Sequence, residues 1–200
     1  MQRSIHRTTN LTFAALMTAL AIILSYFPEI PLAFFAPWLK LDFSFTPLLL
    51  LGFSIGPGMM VVALIITNLV HIIGGTTAGV GELANLLIGL SFLLPPALLY
   101  QRKKTRANAI IGMGIGVVLM MLTGVLANRF ILLPVFFGPG FSEALKGMGM
   151  TVNSYLFGAI APFNLIKGLV NALMVFMLYK RLSILMKEVE EDQKAAVNHS

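Results

Sequence analysis

Three polar residues stand out in the last long apolar run of the chain. Asn164, Lys167 and Asn171 are spaced by three and four residues, so a helix places them on one face. Amide side chains both donate and accept hydrogen bonds, and the lysine adds a positive charge. This combination suits the edge of a heterocycle or a polyol. The alternative is a structural role, in which these groups bond to neighbouring helices and Lys167 pairs with an acid such as Glu82.

Further polar residues lie at the ends of other apolar runs. Glu82 and Asn85 begin one run directly behind a glycine-rich loop, and Asn128 lies near the end of the next. Because ionisable and amide groups are costly inside a membrane, all three are candidates for ligand contact. For Glu82 and Asn85 the alternative is a structural role, in which they cap the helix and support the loop. Arg129 is more typical of an arginine that reaches past a helix end towards the membrane surface.

Two pairs keep alternative interpretations open. Lys40 and Asp42 close the first loop beside aromatic residues, and they either contact a ligand or form a surface ion pair. Asn68 and His71 share a helix face. His71 is either a proton relay or, as we favour, a histidine that is hydrogen-bonded and packed.

Catalytic machinery is not indicated. The chain has no cysteine, its three histidines are far apart, and it lacks the phosphate-binding motif of ATPases. Gly112, Gly114 and Gly116 only faintly resemble a dinucleotide motif, because no strand precedes them, and we interpret them as sites of close helix packing. We therefore predict a protein that is not an enzyme and holds no metal and no cofactor.

Composition indicates the elements that position these residues. Of 200 residues, 58% are hydrophobic and 11% are charged, whereas a soluble domain carries about 25% charged residues. At about 20 residues per spanning helix, this length allows at most six or seven spans and no large aqueous domain. We predict an all-α integral membrane protein with one transmembrane domain over 1–200. The predicted spans are 11–27, 43–55, 59–73, 82–100, 108–133 and 162–182.

The distribution of basic residues predicts the orientation. Ten of the 14 lysines and arginines fall in the N-terminal segment, in the loop 101–106 and beyond residue 179. Since lysine and arginine accumulate on the cytoplasmic side, both termini are predicted to be cytoplasmic. The polar residues described above then fall near the outer face.

A small-residue pattern marks the first span. Ala15 and Ala19 form an A-x-x-x-A repeat, which lets a second helix approach closely. From composition alone, this surface is either an internal packing seam or a docking face for another membrane subunit.

Taken in order, these motifs resemble those of a known family. Over about residues 10–182, the chain resembles the substrate-binding S component of energy-coupling-factor (ECF) vitamin transporters, most closely the riboflavin-specific type. The residues that carry the resemblance are 39–44 before Pro47, Gly56-Pro57, Asn68 with His71, 79–85, Asn128 with 132–134, and Asn164, Lys167 and Asn171. Arg129 departs from it, because an aromatic residue is expected there.

The resemblance implies a six-helix protein of the bacterial cell membrane. It would bind riboflavin, as substrate rather than cofactor, from outside, and act with a transmembrane coupling subunit and two ATPase subunits. Ala15 and Ala19 would form the coupling contact, and the segment 134–161 a lid. The implied substrate-binding residues are Lys40, Leu41, Phe45, Ala78, Gly79, Val80, Glu82, Asn85, Asn128, Asn164, Lys167 and Asn171.

Among these residues, Leu41, Phe45 and 78–80 are expected to cover the flat ring of the flavin. Binding of the phosphate ester of riboflavin, FMN, stays open. The alternatives are an S component for another vitamin and a self-sufficient, proton-coupled secondary transporter that uses His71 and Glu82.

Overall fold

The computed structural model describes residues 2–27, 30–31, 39–74 and 77–198, with side chains for 8–27, 30, 39–74 and 77–179. The basic side chains of the first seven residues and of 180–194 therefore lie outside the described part. In chain order the elements are α1 (Gln2–Tyr26), β1 (Ile30–Pro31), β2 (Lys40–Leu41), α2 (Phe45–Ser54), α3 (Pro57–Gly74), α4 (Val80–Arg102), α5 (Arg106–Ala127), a π-helical turn (Asn128–Leu132), α6 (Leu133–Phe137), a 3-10 turn (Gly138–Gly140), α7 (Phe141–Gly147), α8 (Val152–Tyr155), a second π-helical turn (Leu156–Ile160) and α9 (Ala161–Asn198).

Each predicted span falls mainly on a helix, and the chain is mostly helical. The boundaries differ at the chain ends, since α1 begins at residue 2 rather than 11 and α9 continues to residue 198 rather than 182. Hydropathy cannot detect such extensions, because polar residues outside the apolar run continue a helix without adding to the apolar signal.

The second predicted span, 43–55, is short. The helix α2 has ten residues, and those from Phe45 to Phe53 are buried. At 1.5 Å per residue it is about 15 Å long, half of the roughly 30 Å hydrocarbon core of a bilayer. Five other helical segments of the described chain are long and apolar enough to cross a membrane. The helix α2 is therefore an enclosed central element.

Polar and apolar residues are distributed as in a membrane protein. On α3, Asn68 is buried while its neighbour Leu69 is 57% exposed. On α9, Asn171 is fully buried while Leu173 is 58% exposed. An apolar surface of this kind on several helices is unstable in water but suits lipid. The protein is a membrane protein in which the polar groups of these helices, Asn68 and Asn171, face inward.

Glycines bring α4 and α5 into close contact. A Cβ atom added at Gly112 would lie 2.4 Å from the Cα of Pro96, and one at Gly116 would lie 2.3 Å from the carbonyl oxygen of Phe92. Gly114, between them, has open space around its Cα. The predicted role of this run in helix packing is confirmed for Gly112 and Gly116.

The two ends of the bundle differ. One end holds residues 77–79 before α4, the β1–β2 pair and the segment from Asn128 to Ile160. We call it the site end. There β1 and β2 pair antiparallel, and a small apolar core packs the irregular segment onto the helices. At the opposite end, the hydroxyls of Tyr100 and Tyr179 are 2.6 Å apart. Beside them, Gln101 Nε2 donates to the carbonyl oxygens of Gly52 and Phe53 near the end of α2.

Candidate ligand-binding site

A cavity of about 540 Å³ opens at the site end of the bundle. Its volume lies within the roughly 300–1,000 Å³ typical of small-molecule sites. Its walls combine apolar side chains with a few buried polar groups, as ligand pockets do. Of the twelve predicted substrate-binding residues, six line it: Lys40, Glu82, Asn85, Asn128, Asn164 and Lys167.

The other six predicted residues lie outside the cavity lining. Leu41 and Phe45 are buried in the protein interior, and Asn171 is fully buried behind the wall. Ala78, Gly79 and Val80 form the turn that begins α4, where Ala78 and Gly79 have positive φ angles of 50° and 88°. As ligand contacts, all twelve residues stay predictions.

The central interaction of the site is a buried ion pair. Lys167 Nζ donates to Asp42 Oδ2 at 2.6 Å, and their side chains are only 6% and 13% exposed. The partner of Lys167 is therefore Asp42 and not Glu82, the partner suggested by the sequence. The predicted alternative of a surface pair between Lys40 and Asp42 is also wrong, because Asp42 is buried.

Asn171 holds the backbone around Asp42. Its Nδ2 donates to the carbonyl oxygen of Asp42 at 3.0 Å, and its Oδ1 accepts from the hydroxyl of Thr46 at 2.9 Å. Ser44 adds two bonds to Asp42 Oδ1, one from its amide and one from its hydroxyl. These contacts fix the segment before α2 against α9. Asn171 thus positions the ion pair from behind the cavity wall.

A second polar cluster lies on the opposite wall. Glu82 accepts a hydrogen bond from the Thr77 hydroxyl, and its other oxygen lies 3.2 Å from His71 Nδ1. The His71 ring stacks on Tyr26 with centroids 4.7 Å apart. Its environment is thus the hydrogen-bonded, packed one that we favoured from the sequence.

Asparagines contribute further polar groups to the lining of the cavity. Asn85 Nδ2 donates to Asn68 Oδ1 at 3.0 Å, linking α4 to α3. Asn128 Oδ1 accepts a hydrogen bond from the hydroxyl of Tyr155 at 3.2 Å. Asn164 lies against α5, where a Cβ at Gly124 would approach its Nδ2 to 2.4 Å. The glycine therefore makes the space that Asn164 occupies.

The two π-helical turns adjoin the cavity at Asn128 and Tyr155, which both line it. Asn128 begins the first turn, and Tyr155 immediately precedes the second. A π-helical turn inserts an extra residue and redirects the side chains around it, which is why such turns are frequent at functional sites. Sequence reasoning missed Tyr155 because it follows the polar residues Asn153 and Ser154 in an irregular segment, where no periodic pattern indicates this turn.

Arg129 lies outside the cavity lining. Its guanidinium group is 4.8 Å from the ring centroid of Phe141 and 5.9 Å from that of Phe130. It therefore ties α7 to the first π-helical turn, and ligand contact by Arg129 is not supported.

Burial along α1 decides between an internal packing seam and an exposed face for Ala15 and Ala19. Ala15 and Ala19 are exposed, whereas Ala14, Met17 and Ala21 are buried against the bundle. The A-x-x-x-A pattern is therefore not an internal seam.

Comparison with known proteins identifies the family. A family model described as "ECF transporter, substrate-specific component" matches residues 9–179. The chain belongs to this family. One solved structure, described as "Structure and mechanism of the S component of a bacterial ECF transporter", matches with a TM-score of 0.75 and 32% identity, over 90% of this chain and 99% of that one.

Curated relatives cover this S component almost completely. The riboflavin transporter RibU of Staphylococcus aureus is 30% identical over 186 residues, 93% of this chain and 96% of that protein. The riboflavin transporter FmnP of Bacillus subtilis is 26% identical over 200 residues, 96% of this chain and all of that protein.

Proposed function

We propose that this S component captures riboflavin and delivers it inward as the binding subunit of an ECF-type importer. The observation that carries the proposal is the cavity at the site end, whose lining joins amide groups and a buried ion pair to aromatic and aliphatic walls. A flavin needs both kinds of surface, because its ring is flat and apolar while its ribityl chain carries hydroxyls. The names of the relatives support the same ligand.

Three polar residues of the cavity lining, Asn128, Asn164 and Lys167, suit the ribityl chain and the ring edge of the flavin. Amide groups match hydroxyls because both donate and accept hydrogen bonds. Glu82 and Asn85 face them from α4 and would bond to the remaining polar atoms. Riboflavin is neutral, so one donor with a positive charge is sufficient.

Apolar residues of the site end suit the flavin ring. Phe136, Phe137 and Leu133 line the cavity and belong to the segment 134–161 or adjoin it. We expect this segment to act as a lid, with Leu41 and residues 78–80 closing over the ring. Phe45 packs against the ammonium group of Lys167, with its ring centroid 4.9 Å from Nζ. Its contact with the flavin ring stays a prediction.

The exposed pair Ala15 and Ala19 suits a contact with a membrane-embedded coupling subunit. Two ATPase subunits would supply energy, because the chain has no ATP-binding motif of its own. The complex would lie in the bacterial cell membrane, with both termini of this chain cytoplasmic, as the basic residues indicate.

Purified protein tests the binding step. Riboflavin fluorescence should be quenched on addition of the protein, and the protein should be yellow when purified from riboflavin-containing medium. Thiamine, another vitamin, is the matched control ligand. A dissociation constant for riboflavin weaker than about 10 µM would contradict the proposal, because capture from dilute solution needs more than about 7 kcal/mol.

Liposomes test the transport step. We expect riboflavin uptake only when the coupling and ATPase subunits are present with ATP. Accumulation driven by a proton gradient through this chain alone would favour a secondary transporter, in which His71 and Glu82, 3.2 Å apart, relay protons.

A further inference from the structure

The side-chain amide of Asn128 is held from two sides in the cavity wall. The residue is 2% exposed and lines the cavity. Its Nδ2 donates to the carbonyl oxygen of Gly124, one turn earlier in α5, at 2.9 Å. Its Oδ1 accepts from the hydroxyl of Tyr155 at 3.2 Å. Each polar atom of the amide therefore has one partner within the protein.

These two partners determine which way the amide faces. A backbone carbonyl oxygen only accepts hydrogen bonds, so the nitrogen of Asn128 must face Gly124 and its oxygen must face Tyr155. A reversed amide would bring two acceptors together at the Gly124 carbonyl and lose that bond. Because an amide nitrogen carries two N–H groups and an amide oxygen two lone pairs, one donor and one acceptor of Asn128 remain for a ligand.

Tyr155 is itself fixed in place. Its side chain is 2% exposed and belongs to the small apolar core at the site end, together with Leu39, Leu133 and Leu145. The packed ring sets the position of the hydroxyl, which reaches Asn128 from 27 residues further along the chain. The hydrogen bond thus joins the segment 134–161 to the first π-helical turn, and Tyr155 lines the cavity beside the amide that it holds.

From this geometry we propose that Tyr155 is a positioning residue for ligand binding and acts through Asn128. Its hydroxyl holds Oδ1, so the remaining donor and acceptor of the amide meet the ligand without having to be reoriented. Groups that are ordered before the ligand arrives lower the cost of binding. The inference rests on the proposed function, in which Asn128 contacts the flavin, and adds the residue that orients this contact.

Fluorescence titration of riboflavin against Tyr155→Phe tests the inference. The substitution removes the hydroxyl and keeps the ring in its apolar core, and we expect the dissociation constant to rise on the order of two- to tenfold, the effect of one hydrogen bond. Tyr100→Phe is the matched control, because it removes the hydroxyl of another buried tyrosine, paired with Tyr179 at the opposite end of the bundle. Its dissociation constant should equal that of the wild type.

A double-mutant cycle separates positioning from a general structural effect. In an Asn128→Ala background the amide is gone, so Tyr155→Phe should change the dissociation constant by less than about twofold. Asn128→Leu, which fills the space of the amide, takes its place if Asn128→Ala does not fold. Equal fold-changes for Tyr155→Phe in the two backgrounds would overturn the inference, since Tyr155 would then act independently of Asn128. An unchanged affinity in the single variant Tyr155→Phe would overturn it as well.

The wild type distinguishes failure of the inference from failure of the proposed function. A wild-type protein that does not bind riboflavin contradicts the proposed function. A wild-type protein that binds riboflavin, with no coupling between Tyr155 and Asn128 in the cycle, contradicts only the role assigned to Tyr155.

Discussion

Lys167 Nζ and Asp42 Oδ2 lie 2.6 Å apart, although 125 residues separate them in the chain. The pair joins α9 to the segment that precedes α2, and both side chains are nearly inaccessible. Two buried charges are tolerated because each is the partner of the other. The same pair lies in the cavity wall, so we expect both stability and ligand binding to depend on it.

Removal of Lys167 should strongly destabilise the protein. Lys167→Met leaves the Asp42 carboxylate buried without its cation, and breaking such a pair costs about 3–5 kcal/mol. The double variant Lys167→Met with Asp42→Asn removes both charges and should recover most of that loss. Thermal unfolding in detergent measures both. Equal melting temperatures for the single and double variants would show that the stability of the protein does not depend on this ion pair.

Truncation of Asn164 should weaken ligand binding. Asn164→Ala removes a buried amide from the cavity wall, and each lost hydrogen bond costs about 0.5–1.5 kcal/mol, so we expect a several-fold rise in the riboflavin dissociation constant. Asn153→Ala is the matched control, since Asn153 is exposed on α8. Fluorescence titration compares them, and indistinguishable affinities would remove Asn164 from the site.

A bulky residue on the exposed face of α1 should block coupling without affecting binding. Ala15→Trp replaces a small exposed residue, and a docking helix could no longer approach closely. Riboflavin uptake by the assembled transporter should be lost while the affinity of the isolated chain is kept. Val118→Trp, on the exposed surface of α5, is the control for bulk. Undiminished uptake by Ala15→Trp would show that this face is not the contact.

Two neighbouring glycines of α5 should respond in opposite directions to the same substitution. Gly116→Ala places a Cβ 2.3 Å from the Phe92 carbonyl oxygen and should destabilise by about 1–3 kcal/mol through overpacking. Gly114→Ala meets open space and should stabilise the helix by about 0.5–1 kcal/mol. The melting temperature of each variant is compared with that of the wild type. Shifts of the same sign in both variants would contradict the close packing of α4 and α5 at Gly116.

Much of the helical architecture could be predicted from sequence. Apolar runs bounded by turn residues such as Gly56-Pro57 indicate helices, because membrane-spanning backbone must satisfy its hydrogen bonds within the segment. The packing role of Gly112 and Gly116 was predictable for a similar reason, since small residues permit close helix approach. The π-helical turns beginning at Asn128 and Leu156 were not, because they depend on tertiary packing around single residues.

The candidate site was predictable only in part. Asn128, Asn164 and Lys167 were found as polar residues in apolar runs, and the structure puts them around one cavity. Asn171 lies on the same face of α9 as Asn164 and Lys167, but it is behind the cavity wall. One further turn of α9 brings it to the level of α2, where it bonds to Thr46 and to the backbone of Asp42. Helical periodicity gives a direction around the axis and says nothing about what the neighbouring helices place there.

Sequence by itself determined the class of protein, the helices and the short set of polar residues from which a site can be built. These properties are local, since hydropathy and helical spacing act over a few residues. Only the tertiary structure decided that Asp42, rather than Glu82, neutralises Lys167, and that Ala15 and Ala19 face outward. Such pairings join distant segments, and they follow from how the helices pack against one another, which local composition does not encode.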